Sequence, residues 1–207
     1  MLSKKTGVPA EFYNEEYFLN GTKSGYGGRF APYTTETYYP IALQLATTIN
    51  AYLKPKNCLV LGCARGYLVR ALRENGVDAY GVDISHWAIE NADSKTKPYL
   101  ILGDVNLLLP KFSSQKFDML IAMDVLEHIH KPQLTNVIKE SCRVTAKYIL
   151  LQVPIVDNSV DLSHVSIYPE SWWRTQFTMC KFTVVKALTS RQIDGIESFH
   201  VFFRRKQ

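Results

Sequence analysis

A short apolar run, Cys58-Leu59-Val60-Leu61, breaks at Gly62-Cys63-Ala64-Arg65-Gly66 and passes directly into a helical pattern beginning Tyr67-Leu68. This is how a parallel strand buried on both faces delivers its backbone to a tight turn over a ligand. Glycines at 62 and 66 let the main chain approach closely, and the next helix aims its positive N-terminal end at the turn. Further on, Gly81-Val82-Asp83 ends a second apolar run on a carboxylate. An acid at that spacing commonly takes the ribose hydroxyls of an adenine-containing cofactor. Together the two segments predict a nucleoside site at the carboxyl edge of a parallel sheet.

The rest of the chain supplies such a sheet. Strand patterns cover Cys58–Leu61, Ala79–Val82, Tyr99–Leu102, Met119–Ala122 and Tyr148–Val153. Helical patterns lie between them at Tyr67–Asn75, Ser85–Asp93, Asn106–Leu109 and Gln133–Arg143. Gly76 suits the stop of the first helix, and the Ser85 hydroxyl suits the start of the second. Strands divided by helices predict an open sheet with right-handed crossovers. After a helix over Pro169–Thr178, Lys181–Leu188 and Ser198–Arg205 read as strands joined by a loop containing Gly195. With no helix between them, they should pair antiparallel.

Upstream, residues 1–34 are dense in aromatics, including Phe12, Tyr13, Tyr17, Phe18, Tyr26, Phe30 and Tyr33, beside a glycine-rich stretch from Gly21 to Gly28. They predict a segment that packs on the main body, either as a lid or as a fixed cover. A helix over Thr35–Leu53 follows, with Tyr38, Ile41, Ala42, Leu45, Ile49 and Tyr52 on its apolar face. Residues 1–54 thus form an N-terminal segment, and residues 55–207 the main domain.

Bulk properties exclude several classes. At 207 residues, with 46% hydrophobic and 21% charged, the chain can bury a full core. No apolar run reaches the length that spans a bilayer, and Met1-Leu2-Ser3-Lys4-Lys5 lacks an apolar signal core, so a cytoplasmic protein without a membrane partner is expected. The four cysteines contain no C-x-x-C pair and read as reduced packing residues. The net charge of +5 is spread out apart from Lys4-Lys5 and Arg204-Arg205-Lys206, which argues against a nucleic-acid footprint. No spacing of His, Cys and acidic residues matches a metal-ligand pattern, so no metal is expected. The sequence carries no oligomer signal.

From about residue 55 onward the chain resembles class I S-adenosylmethionine-dependent methyltransferases, in particular those acting on small molecules. Leu59–Leu68 resembles their glycine-rich first motif, and Tyr80–Ser85 resembles the ribose motif after the second strand. Gly103-Asp104-Val105 resembles the adenine-recognition segment, and Phe117–Ile129 the fourth motif with its Leu-Glu-His ending. The resemblance implies a Rossmann-like, doubly wound α/β fold. Its seven-stranded sheet would be mostly parallel, with an antiparallel C-terminal strand. The implied cofactor is S-adenosyl-L-methionine, and the implied reaction is methyl transfer to an oxygen or nitrogen of a small metabolite.

The same resemblance implies the contacts. Leu61, Gly62, Cys63, Gly66 and Tyr67 would line the cofactor at the first motif. Asp83 would take the ribose with Ile84 beside it, Asp104 and Val105 would meet the adenine, and Met123 would close the fourth strand. Two positions depart from the family pattern. Val60 stands where a carboxylate usually precedes the glycines, and Ala64 stands at the middle glycine, tolerable if its dihedrals are ordinary. His128, after the fourth strand, and His164, in the loop after the fifth, are the candidate catalytic bases, because imidazole exchanges protons near neutral pH. A structural hydrogen bond is the other reading of each. For Trp172, Trp173 and Phe177, core packing is favoured over an aromatic wall.

Other functions stay open. The two departures would suit a non-catalytic, nucleoside- or partner-binding relative. An RNA or DNA methyltransferase lacks support, since Ala122-Met123-Asp124-Val125 is not the Pro-Pro-aromatic motif of exocyclic-amine methylators. A nicotinamide dehydrogenase should carry G-x-G-x-x-G, which this chain lacks.

Overall fold

The computed structural model describes residues 8–21, 32–156, 163–189 and 198–205. The chain divides into two compact units, 9–105 and 106–207, the latter grouped with 1–8.

In the first unit β1 (Asn57–Leu61), β2 (Asp78–Asp83) and β3 (Leu100–Leu102) run parallel, with Leu61 opposite Val82 and Asp83 opposite Leu102. Cys58 to Leu61 are all buried, as a strand covered on both faces requires. Helices α1 (Glu15–Leu19), α2 (Thr35–Tyr52), α3 (Tyr67–Glu74) and α4 (His86–Glu90) accompany them. Gly76, at φ +82°, ends the turn after α3, where a side chain would be strained. Ser85 caps α4 as expected, its Oγ accepting the Ala88 N–H at 3.0 Å.

Helix α2 packs on α3 with part of the expected face, shifted toward Ala46. Ala42, Ala46 and Ile49 are buried, whereas Ile41 and Tyr52 are 60% and 83% exposed. Small alanines let the two helices approach closely, with the Asn50 side chain donating to Asn75 O at 2.9 Å. Ile41 and Tyr52 are turned outward, which hydrophobicity alone misjudges.

After α5 (Val105–Leu108), the second unit holds β4 (Phe117–Met123), α6 (Lys131–Val144) and β5 (Thr145–Pro154). Then come α7 (Glu170–Met179), β6 (Phe182–Thr189) and β7 (Ser198–Arg205). β4 and β5 are parallel, and β7 pairs antiparallel with both β5 and β6. The complete sheet has seven strands in the order β3-β2-β1-β4-β5-β7-β6, the expected mostly parallel α/β architecture with its antiparallel last strand. The hairpin loop with Gly195 lies outside the described residues, as do residues 22–31 of the glycine-rich stretch.

Trp173 and Phe177 are core residues, 0% and 1% exposed, and the Trp173 indole N–H donates to Tyr168 O at 3.1 Å. Trp172 instead stacks on Tyr168 at 3.9 Å between ring centroids. Cys58, Cys63, Cys142 and Cys180 are all free thiols. No helix among the described residues is long and apolar enough to cross a membrane.

Candidate cofactor and acceptor sites

The turn after β1 is built from left-handed backbone. Gly62 has φ +61°, Ala64 +47° and Gly66 +78°. Ala64 therefore does not keep the ordinary dihedrals on which its tolerance at this position depended. The strand-to-helix turn dictates the backbone shape, and alanine carries it at a steric cost of about 1–2 kcal/mol. The Ala64 N–H donates to Asp83 Oδ2 at 2.7 Å, and this charge-assisted bond pins the strained residue.

Glycine at 66 and 81 is required by packing as well as by any ligand. A Cβ on Gly66 would meet Leu100 Cδ1 at 2.8 Å and Thr96 Cγ2 at 2.9 Å. A Cβ on Gly81 would lie 2.6 Å from both Cβ and Sγ of Cys63. Cys63 is buried and fixed by its own N–H to Val82 O at 3.1 Å, so it cannot step aside freely. Gly81→Ala is expected to push the turn off β2 and destabilise the fold by about 1–3 kcal/mol, the usual cost of overpacking. Thermal unfolding of the variant checks this.

Asp83 ends β2 with only 8% of its surface exposed. Its Oδ1 accepts the Ser85 N–H at 2.7 Å while Oδ2 holds Ala64. Burial raises its pKa, and the backbone N–H groups of Ser85, Ala64 and Ile84 oppose part of that rise. A carboxylate offers about four acceptor sites, so these two short bonds leave capacity on each oxygen. Asp83 thus braces the β1 turn and the start of α4 together. Gly66 gives α3 no side-chain cap, which leaves the helix N-terminus to the turn itself. Leu61, Cys63 and Tyr67 are buried around this turn, while Gly62 and Ile84 are half-buried at its rim. Asp104 is half-buried and Val105 buried, where β3 gives way to α5.

The N-terminal aromatics lie on this turn. Phe18 forms a buried cluster with Ala64 and Ala88, flanked by Tyr13, Tyr17, Tyr33 and Trp87. Phe18 stacks on Trp87 at 5.5 Å, and the Tyr13 carbonyl accepts from Ser85 Oγ at 2.5 Å. The Arg65 guanidinium donates to the Tyr33 carbonyl at 3.4 Å. Burial raises the Tyr33 phenol above its ordinary range, with Cys63, Tyr38, Asp83 and Tyr67 adding to the rise. The phenol is therefore neutral at physiological pH and sits among the residues of the β1 turn.

In the second unit, β4 ends at Met123, which is half-buried, and Asp124 follows at φ +53°. Asp124 extends the pairing with β5 by one step. Its N–H donates to Gln152 O at 3.0 Å, and its Oδ2 accepts from Gln152 Nε2 at 2.7 Å. That left-handed residue, tolerable for Asp, turns the chain into a 3-10 turn over Leu126–His128. Glu127 on this turn is 0% exposed.

Loop 163–166 is pinned against the same turn. Val165 and Ser166 both donate their N–H to Glu127 O at 2.9 Å, and Ser166 Oγ donates to Ile129 O at 2.6 Å. The clamp brings His164 Nε2 to 3.9 Å from Glu127 Oε1, with His128 Nε2 4.0 Å from the same atom. The two imidazoles meet edge to face, 4.8 Å between centroids. His128 Nδ1 is 2.8 Å from the buried Ser163 Oγ, which fixes its ring. Sequence reasoning named both histidines but missed Glu127. His86 is exposed beside Glu90, and His130 stands at the N-cap position just before α6.

Comparison with known proteins agrees with this architecture. A family model described as a methyltransferase domain matches residues 36–194. Ubiquinone biosynthesis O-methyltransferase of Coxiella burnetii is 33% identical over 86 residues, 39% of this chain. That match spans about a third of the relative, 36% of its length. Among solved structures, magnesium protoporphyrin IX methyltransferase from Synechocystis, crystallised with S-adenosylmethionine, superposes with a TM-score of 0.64 at 18% identity. It covers 97% of this chain and 99% of its own. The 1,6-didemethyltoxoflavin-N1-methyltransferase of Burkholderia thailandensis, with bound S-adenosylhomocysteine, gives 0.63 at 17%, covering 80% of this chain and 79% of its own. With its β1 turn, β2 acid and seven-stranded order, the chain belongs to this methyltransferase-domain family as a class I S-adenosylmethionine-dependent methyltransferase.

Proposed function

We propose that the protein transfers the methyl group of S-adenosylmethionine to an oxygen or nitrogen of a small metabolite. The bound cofactor supplies an electrophilic methyl on a good leaving group, and the protein's task is to hold, orient and keep water away. In this reading Asp83 accepts from the ribose hydroxyls, the turn from Gly62 to Gly66 follows the cofactor chain, and Asp104 with Val105 meets the adenine. Leu61, Cys63, Tyr67 and Ile84 shape the walls. Met123 adds an apolar contact at the end of β4. The neutral Tyr33 phenol and the Phe18 cluster form the cover of residues 1–54, on a methyltransferase domain over 55–207.

The observation that carries the acceptor chemistry is the convergence of His128 and His164 on the buried Glu127 carboxylate. A hydroxyl or protonated amine must lose a proton to accept a methyl group, and this cluster is where that proton is managed. Both kinds of acceptor occur among similar proteins, an oxygen acceptor in the ubiquinone-pathway relative and a ring nitrogen in the toxoflavin enzyme. The mild, scattered positive charge gives no support to a nucleic-acid substrate.

A mass-spectrometric screen of a metabolite library with the protein and cofactor tests the reading. It should reveal a product heavier by one methyl group, formed together with S-adenosylhomocysteine. Cofactor binding with no product from any small-molecule class would favour the non-catalytic alternative.

A further inference from the structure

Glu127, His128 and His164 each offer one ligand atom, and these atoms lie within 4.8 Å of one another. The Nε2 to Oε1 separations of 3.9 and 4.0 Å are too long for hydrogen bonds. Ligands bound to one ion at about 2.0–2.1 Å stand about 2.9–3.4 Å apart, so each atom need move inward by only about half an ångström. We propose that Glu127, His128 and His164 hold a divalent cation of the zinc class, leaving at least one position open to an oxygen ligand.

Three features suit a built site. The ligand set of two imidazoles and one carboxylate is that of open, reactive metal centres rather than closed structural ones. When the buried Ser163 hydroxyl accepts from His128 Nδ1–H, Nε2 is left with its lone pair for the ion, the outer-shell arrangement metal-ligating histidines use. The third ligand is positioned by the loop clamp itself, since Val165 and Ser166 N–H groups fasten His164's neighbours to the Glu127 carbonyl.

The inference deepens and rests on the methyl-transfer reading, since a cation would lower the proton affinity of an acceptor oxygen bound to it. The metal site itself stands independently of that reading and is tested on the full chain without cofactor. Chelator-treated protein is titrated calorimetrically with zinc, manganese and magnesium chlorides, and cobalt(II) is added to follow its visible absorption. One zinc ion per chain is expected, binding more tightly than magnesium, with proton release on binding. His164→Ala should weaken zinc binding at least 10-fold, and Ser163→Ala about 10-fold, as for other outer-shell changes. Circular dichroism confirms that each variant is folded, and His86→Ala, at the exposed histidine, should leave binding unchanged. Absence of stoichiometric binding by zinc, manganese or cobalt, or zinc binding that survives both His164→Ala and His128→Ala, overturns the site. Transfer activity persisting in metal-free protein would overturn the cation's part in the transfer step while leaving the methyltransferase reading intact.

Discussion

Asp83→Ala lowers affinity for S-adenosylmethionine by at least about 100-fold. Each hydrogen bond to a charged acceptor contributes about 1.5–3 kcal/mol, so losing two from the ribose removes 3 kcal/mol or more. The effect has a second source. Asp83 holds Ala64 in its left-handed conformation and accepts from Ser85 at the start of α4, both at 2.7 Å. Alanine removes the brace and the ribose partner at once. Asp83→Asn separates the two, because an amide keeps one acceptor for the turn and loses the charge. Titration calorimetry of both variants should show the larger loss for alanine. The asparagine variant also reports on pH. Burial raises the folded pKa of Asp83 above its unfolded value of about 3.9. Its contribution to stability is therefore full below that unfolded value and is lost as pH rises through the folded one. The wild type should lose stability over that window, and Asp83→Asn should remove this part of the slope.

His164→Ala lowers the turnover number by about 10²–10⁴, the range for losing a positioned proton-transfer group, while cofactor affinity stays near the wild-type value. The split follows from where the residues lie. Asp83 and the β1 turn belong to the first unit, and His164 belongs to the second, on the loop clamped to Glu127. Steady-state kinetics on the acceptor found by the library screen, with direct cofactor titration beside them, decides it. Equal loss of cofactor affinity would mean that His164 acts through the fold and not on the acceptor.

The parts legible in the sequence are those fixed by local pattern. Strands from Cys58 to Val153 run to within a few residues of their expected ends because parallel strands covered on both faces leave unbroken apolar runs. The Ser85 cap and the Gly76 stop are likewise local rules obeyed in place. On α2, Ala42 and Ile49 are buried as expected, but close helix packing selected Ala46 over Ile41. The left-handed backbone at Ala64 was not legible for a related reason. The backbone of the turn is set by the strand and helix it joins, and the residue pays for conforming. Glu127 was hidden because His164, the partner that completes its cluster, comes from another part of the chain. Nothing between His128 and His164 signals that the Val165 and Ser166 amides fold back onto the Glu127 carbonyl. The fold alone makes that neighbourhood.

Calorimetric titration of the wild-type chain with S-adenosylmethionine tests the central claim most directly. Saturable binding of one molecule per chain, competed by S-adenosylhomocysteine and abolished or strongly weakened in Asp83→Ala, is the predicted result. No saturable binding by the intact chain, or full-strength binding by Asp83→Ala, would contradict it.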